Sequence, residues 1–291
     1  RLDPLVASPD LAWACRMQGQ KTGLWSLCAD RPVPVGRTLK EGNRLSGTKI
    51  AVITGASAGI GAAAAVALAE SGFDTIIGAR REEKLRQVAE STGGRFHHLD
   101  VTVPHSIADF TGGLERVDRL VNKAGGALGL PPEQEADEES WQKMWELNFM
   151  STVRVTKALL PLLIASGDGL IINLGSTAGF ETYPGGGGYT GVKHALRALT
   201  RTLRRELLGQ PVRITEIAPG LVETEFAMVR FDQDAEKAKA VYAGMTPLTA
   251  TDIAEAIAWV ASRPSHVNID EMVIRPRDQA TSTRVYRGGQ D

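Results

Sequence analysis

KIAVITGASAGIG, residues 49–61, runs from an apolar stretch into a glycine-rich turn and on into the alanine-rich helix former GAAAAVALAES. Lys49 to Thr54 read as a strand buried on both faces. Gly55, Gly59 and Gly61 let the backbone turn tightly and approach an anion at the helix N-terminus, as a bound pyrophosphate requires. Turns also use glycine for structural reasons alone. The strand before this turn and the helix after it favour a nucleotide site.

The same alternation continues down the chain. Strands are predicted at DTIIGA (74–79), RFHHLD (95–100), DRLVN (118–122), LIINL (170–174), VRITEI (212–217) and EMVI (271–274). Helical segments separate nearly all of them, notably 138–165, 189–208 and 250–262. Seven strands with intervening helices predict one α/β domain over 46–291: a doubly wound, mostly parallel seven-stranded sheet with helices on both faces. Ligands of such sheets bind beyond the carboxyl ends of the strands. The segments to examine are therefore TGASAGIG, ARR, DV, NKAG, GS and PGLVET.

Composition narrows the class. The 291 residues are 43% hydrophobic and 23% charged, with 33 basic and 34 acidic residues, so no bulk field draws the chain to nucleic acid or a membrane. No apolar run approaches the roughly 20 residues that span a bilayer. Cys15 and Cys28 imply neither a disulfide framework nor a thiolate metal site, and a soluble cytoplasmic protein is expected. His97, His98, His105, His194 and His266 show no metal-like pairing and read as structural. Residues 1–45 carry scattered prolines and no sustained period, and read as a poorly ordered extension. Their acidic residues argue against an organelle-targeting peptide.

Arg80 and Arg81 end the second strand, where an NAD site usually places an acidic residue for the ribose hydroxyl. A pair of solvated surface arginines is the alternative, but cations at a helix start oppose the helix dipole. A 2′-phosphate would compensate them, which favours NADP(H).

GSTAGFETYPGGGGYTGVK (175–193) holds two tyrosines. Tyr183 precedes Pro184 and a glycine run, so it reads as a loop or pocket-lining residue. Tyr189 opens a helical period with Val192, Leu196, Leu199, Leu203 and Leu207 on one stripe. Lys193 lies one turn on, on the same side. Ser176 and Thr177 both follow the strand LIINL, one facing the crevice and the other able to cap the next turn. Asn148 falls inside a long helical stretch, where a buried Asn is most often bonded to backbone or water.

TGASAGIG and YTGVK together resemble the short-chain dehydrogenase/reductase family, over about residues 48–280. The resemblance implies a cofactor site that includes Gly55, Ser57, Gly59, Ile60, Gly61, Arg80, Arg81, Asp100, Val101, Asn122, Tyr189, Lys193, Pro219, Gly220, Val222 and Thr224. It implies a catalytic set of Asn148, Ser176, Tyr189 and Lys193, with Ser176 thirteen residues ahead of Tyr189. By resemblance Asn148 supports a water relay to the lysine, and a substrate lid lies near 221–247. The family pattern N-N-A-G is here Asn122-Lys123-Ala124-Gly125. Reducing a carbonyl by hydride needs a proton on its oxygen. Tyr189 would supply it, Lys193 would draw the phenol towards neutral pH, and Ser176 would hold the oxygen.

STAG…YPGG…Y, PGLVETEF, VRF (229–231) and RPSHVNID (263–270) are similar to the NADP-dependent 3-hydroxy acid dehydrogenase group of that family. This implies a small hydroxy acid substrate bound at Ser176 and Tyr189, and a homotetramer. Gly187 and Gly188 replace an Asn-Val pair of that group, which predicts a looser loop above the site. A carboxylate needs a partner in a closed site, and Arg230 and Arg275 are the candidates. A broad carbonyl reductase for bulkier ketones or aldehydes, and a non-catalytic NADP-sensing scaffold, are the competing readings.

Overall fold

Continuous apolar runs become strands where both of their faces are covered, and here such runs form the centre of a seven-stranded sheet with more exposed edge strands. A computed structural model describes residues 47–288; the extension expected at 1–45, with both cysteines, lies outside the described residues. The strands are β1 (Ile50–Thr54), β2 (Asp74–Ala79), β3 (Arg95–His98), β4 (Arg119–Asn122), β5 (Gly169–Leu174), β6 (Val212–Pro219) and β7 (Glu271–Ile274). Their order is β3-β2-β1-β4-β5-β6-β7, and every pairing is parallel. The chain reverses its direction of winding between β1 and β4, so a crevice opens above their carboxyl ends.

Alternate residues of the five inner strands feed two cores. Ala51, Ile53, Ile77, Val121 and Ile172 face α1 (Gly59–Glu70), α2 (Glu82–Thr92) and α9 (Ala250–Ala261). Val52, Ile76, Leu120, Ile171 and Ile214 face α3 (Pro104–Gly112) and α5 (Ser151–Ala165). The remaining helices are α4 (Glu138–Trp145), α6 (Gly187–Glu206), α7 (Phe226–Arg230) and α8 (Ala235–Ala240).

Most boundaries shift by a residue or two from the sequence reading, and three departures matter more. β3 ends at His98 rather than residue 100, as a largely exposed edge strand. The helical stretch 138–165 is interrupted by a π-helical turn, Glu146–Met150. By length and composition that stretch could cross a bilayer; here α5 buries Val155, Leu159 and Leu163 against the sheet. α6 starts at Gly187, so Gly187 and Gly188 form its first turn and are not the loosened loop that the sequence suggested. A side chain on Gly188 would meet Trp141 Cδ1 at 2.9 Å, so the tryptophan fills the space that the glycine leaves.

At the opposite end of the sheet lies a cluster of charge in which Arg119 and Arg213 are buried and Asp168 and Lys49 partly exposed. Asp168, just before β5, binds Lys49 Nζ at 2.7 Å, Arg119 Nη2 at 3.1 Å and Arg213 Nη2 at 3.2 Å. Arg119 also donates through Nε to the Ala261 carbonyl oxygen at 3.1 Å.

Candidate active site

The turn after β1 is built for close approach. Gly55 and Gly59 have φ of +68° and +53°, the left-handed region that favours glycine. A Cβ on Gly55 would stand 2.8 Å from Ala124 Cα, and one on Gly61 would strike the Gly55 carbonyl oxygen. The bare backbone at the start of α1 thus fits a pyrophosphate. Ser57 and Ile60 belong to the same turn, and Ile60 borders the cavity described below.

Arg81 and Arg80 have different fates. Arg81 donates to Ser57 Oγ from Nε at 3.1 Å and from Nη2 at 3.0 Å. Its Nη1 meets Glu225 Oε2 at 2.8 Å, and Lys84 Nζ of α2 meets Glu225 Oε1 at 2.7 Å. Arg80 is exposed at the strand end and faces Asp100 only as a charge. Asp100 Oδ1 accepts from the Thr102 backbone N–H at 3.0 Å, and Val101 is buried beside it.

Asn122 turns into the fold. Its Nδ2 donates to Thr156 Oγ1 at 3.0 Å and to Asn173 Oδ1 at 2.9 Å, so the side chain braces β4 against β5 and α5 and its amide hydrogens are not offered to a cofactor. Lys123 instead points into the cleft, where desolvation and the Arg81 charge lower its pKa. Thr54 Oγ1 accepts from the backbone N–H of Lys123 and of Ala124, at 3.1 and 3.2 Å, so this turn keeps its hydrogen bonds without the second asparagine.

The chemical residues converge above β5. Ser176 and Tyr189 line a cavity of about 290 Å³ together with Lys193, Phe226, Arg230 and Gln279. Ser176 Oγ also accepts from the Ala178 N–H at 3.1 Å, so the serine, rather than Thr177, caps the following turn. Lys193 is buried, and its Nζ donates to the Leu174 carbonyl oxygen at 2.9 Å and stands 5.7 Å from the Tyr189 ring centre. Burial lowers the Lys193 pKa to about 8, the Glu216 carboxylate opposes that shift, and Lys123 adds to it.

Tyr189 is not drawn towards neutral pH. Desolvation in the cleft pushes its phenol well up and neighbouring Tyr183 adds to the rise, while a hydrogen bond with Ser176 and the charge of Arg230 oppose it. The group is a proton-bearing phenol. The Arg230 guanidinium is 5.8 Å from the Tyr189 ring centre, donates to the Tyr183 hydroxyl at 3.2 Å and to the Gly129 carbonyl oxygen at 3.1 Å. Arg275 is committed elsewhere, to Glu181, which also accepts from the Ser282 N–H at 2.6 Å.

Asn148, buried in the π turn, donates from Nδ2 to the carbonyl oxygens of Gly126 and Met144, at 2.8 and 2.9 Å. Its Oδ1 accepts from the Gly126 N–H at 3.2 Å, so the side chain clasps the loop after β4. Pro219, Gly220 and Val222 border the cavity, and Thr224 packs on Gly59, 3.3 Å from where a Cβ would stand. Gln279, from the segment after β7, accepts from the Leu221 N–H at 2.9 Å and fills the space beside Gly220.

Lys84, Glu225, Trp141 and Gln279 went unread in the sequence. Each acts through a partner distant in the chain or on a neighbouring element, and none carries a local pattern. Taken together, the site offers a pyrophosphate cradle, paired cations beside it, and a phenol, a hydroxyl and an ammonium around one cavity.

Known proteins are similar to this chain over most of its described length. An uncharacterized oxidoreductase of Mycobacterium tuberculosis is 57% identical over 236 residues, covering 81% of this chain and 94% of its own length. Sulfoacetaldehyde reductase 2 of Chromohalobacter salexigens is 42% identical over 242 residues, covering 80% and 96%. A closed form of serine dehydrogenase complexed with NADP+ superposes with a TM-score of 0.77 at 36% identity, covering 83% and 98%. Residues 49–235 match the family model of the short chain dehydrogenases, and this chain is a member of that family of oxidoreductases.

Proposed function

We propose that this enzyme transfers a hydride between NADP(H) and the 3-hydroxyl or 3-oxo carbon of a small acid, with Tyr189 as the general acid and base. Arg230 carries the reading. A guanidinium has five N–H donors, and the two bonds to Tyr183 and Gly129 leave others for an anion beside Tyr189. The similar proteins named for serine and for sulfoacetaldehyde point to small anionic substrates of this kind.

NADPH supplies the hydride when bound along the glycine turn. Tyr189 gives its proton to the substrate oxygen as that oxygen gains charge, and the Ser176 hydroxyl holds the same oxygen. The phenolate left behind faces Arg230 and Lys193 until it regains a proton; oxidation of the alcohol runs the same exchange backwards. Asn148 keeps the loop after β4 in place. Arg81 and Lys84 offer two cations, with Ser57 between Arg81 and the turn, for the 2′-phosphate that separates NADP from NAD.

Leu130, Phe226, Phe231 and Val241 give the cavity an apolar wall, which favours the bulkier-ketone reductase as the second reading. A panel of serine, 3-hydroxyisobutyrate, their methyl esters and bulky ketones, followed by NADP(H) absorbance, separates the two. Free acids should turn over and the esters should show a raised KM or no turnover. If acid and ester react alike, or only bulky ketones react, the carbonyl reductase takes its place. A chain with no turnover on any of them would be the cofactor-sensing scaffold.

A further inference from the structure

Glu225 is a lid residue whose carboxylate makes its bonds outside the lid. Oε2 pairs with Arg81 at 2.8 Å and Oε1 with Lys84 at 2.7 Å. These are the two cations assigned above to the 2′-phosphate, so the inference rests on that assignment. Thr224, next in the chain, packs on Gly59, so the base of the lid already leans on the cofactor turn.

A carboxylate and a phosphate oxygen seek the same N–H groups of a guanidinium and the same ammonium. Two anions sharing them would also repel each other. Glu225 is nearly half exposed, with 45% of its side chain accessible, and has solvent to retreat into. NAD lacks the phosphate and leaves both ion pairs as they are.

We propose that Glu225 is a specificity-determining residue that stands in for the 2′-phosphate, so that NADP(H), and not NAD(H), must displace it and thereby frees the base of the lid from Arg81 and Lys84. The selectivity of the site is then a difference between two occupants of one cation pair. Glu225 lowers NADP(H) affinity and leaves NAD(H) affinity alone.

Fluorescence titration of NADPH and NADH against wild type, Glu225→Gln and Arg81→Ala tests this without turnover. Glu225→Gln keeps the side-chain length and removes the charge. It should bind NADPH roughly three- to ten-fold more tightly, the scale of two exposed ion pairs. NADH affinity should stay within about two-fold. Unchanged or weaker NADPH binding, or equal tightening of both cofactors, overturns the proposal. Arg81→Ala isolates its foundation: if that variant keeps the NADPH/NADH ratio, the phosphate assignment itself is wrong. If Arg81→Ala erodes the ratio while Glu225→Gln leaves NADPH unmoved, only the role of Glu225 falls. Deuterium uptake over residues 223–231 should differ between the NADP(H) and NAD(H) complexes of the wild type and coincide in Glu225→Gln. Coincidence in the wild type overturns the freeing of the lid base.

Discussion

Tyr183 and Tyr189 share Arg230, yet only one of them lies beside Ser176 and Lys193. Tyr189→Phe removes the transferable proton and little surface, so turnover should vanish while NADPH binding persists. Tyr183→Phe removes an acceptor for Arg230 and a neighbour that raises the Tyr189 phenol, keeps the proton donor, and should chiefly raise KM; steady-state kinetics with cofactor fluorescence checks both. Lys193 makes a second test. Its folded pKa of about 8 lies below the ordinary 10.5, so up to about pH 8 both folded and unfolded chains carry the proton and the burial penalty is complete. Between these values the folded state releases its proton first, and stability rises with pH. Lys193→Met should abolish that rise, leaving the variant ahead at pH 7 by at most about 3 kcal/mol in urea denaturation. The helical period made Tyr189 and Lys193 legible in the sequence. Arg230 and Arg275 were not separable there, because the partner that removes Arg275 is Glu181, on a loop nearly a hundred residues earlier.

Elements were easier to recognise than their irregularities. The apolar period of 138–165 reads as one helix, and the π turn at 146–150 hides in it because a widened turn leaves the flanking pattern intact. That turn nevertheless carries Asn148 and so fixes the loop after β4. The first turn of α6 shows the same limit. Gly187 and Gly188 looked like slack, whereas Trp141 of α4 closes over them with ring atoms 2.9–3.1 Å from their Cβ positions. Restoring a side chain there overpacks the contact: Gly188→Val should destabilise the fold by about 1–3 kcal/mol. Truncating Trp141 in the same molecule should recover part of that loss. A thermal-denaturation double-mutant cycle that shows no coupling would contradict this packing.

Across the molecule, the two ends of the sheet divide the work. The carboxyl ends hold the glycine turn and the cavity lined by Ser176, Tyr189 and Lys193, and the amino ends hold Arg119 and Arg213 on Asp168. Burial alone would raise the Asp168 pKa, but the Lys49 hydrogen bond and the charges of Arg119 and Arg213 hold it below the usual carboxylate range. Its contribution to stability is therefore present above the ordinary Asp range and is lost as pH falls through the lower folded value. Asp168→Asn leaves two buried guanidinium groups without their anion and should cost about 3–5 kcal/mol at pH 7, read by urea denaturation. The strand-and-helix alternation made the fold legible, but this cluster was not, because its members stand at the starts of four different strands. A last consequence follows from Gln279, which walls the cavity from a segment beyond β7. Along the direction of synthesis, the glycine turn and β1 to β4 are made long before it. The turn that cradles a pyrophosphate is thus synthesised more than two hundred residues before the side chain that closes the cavity.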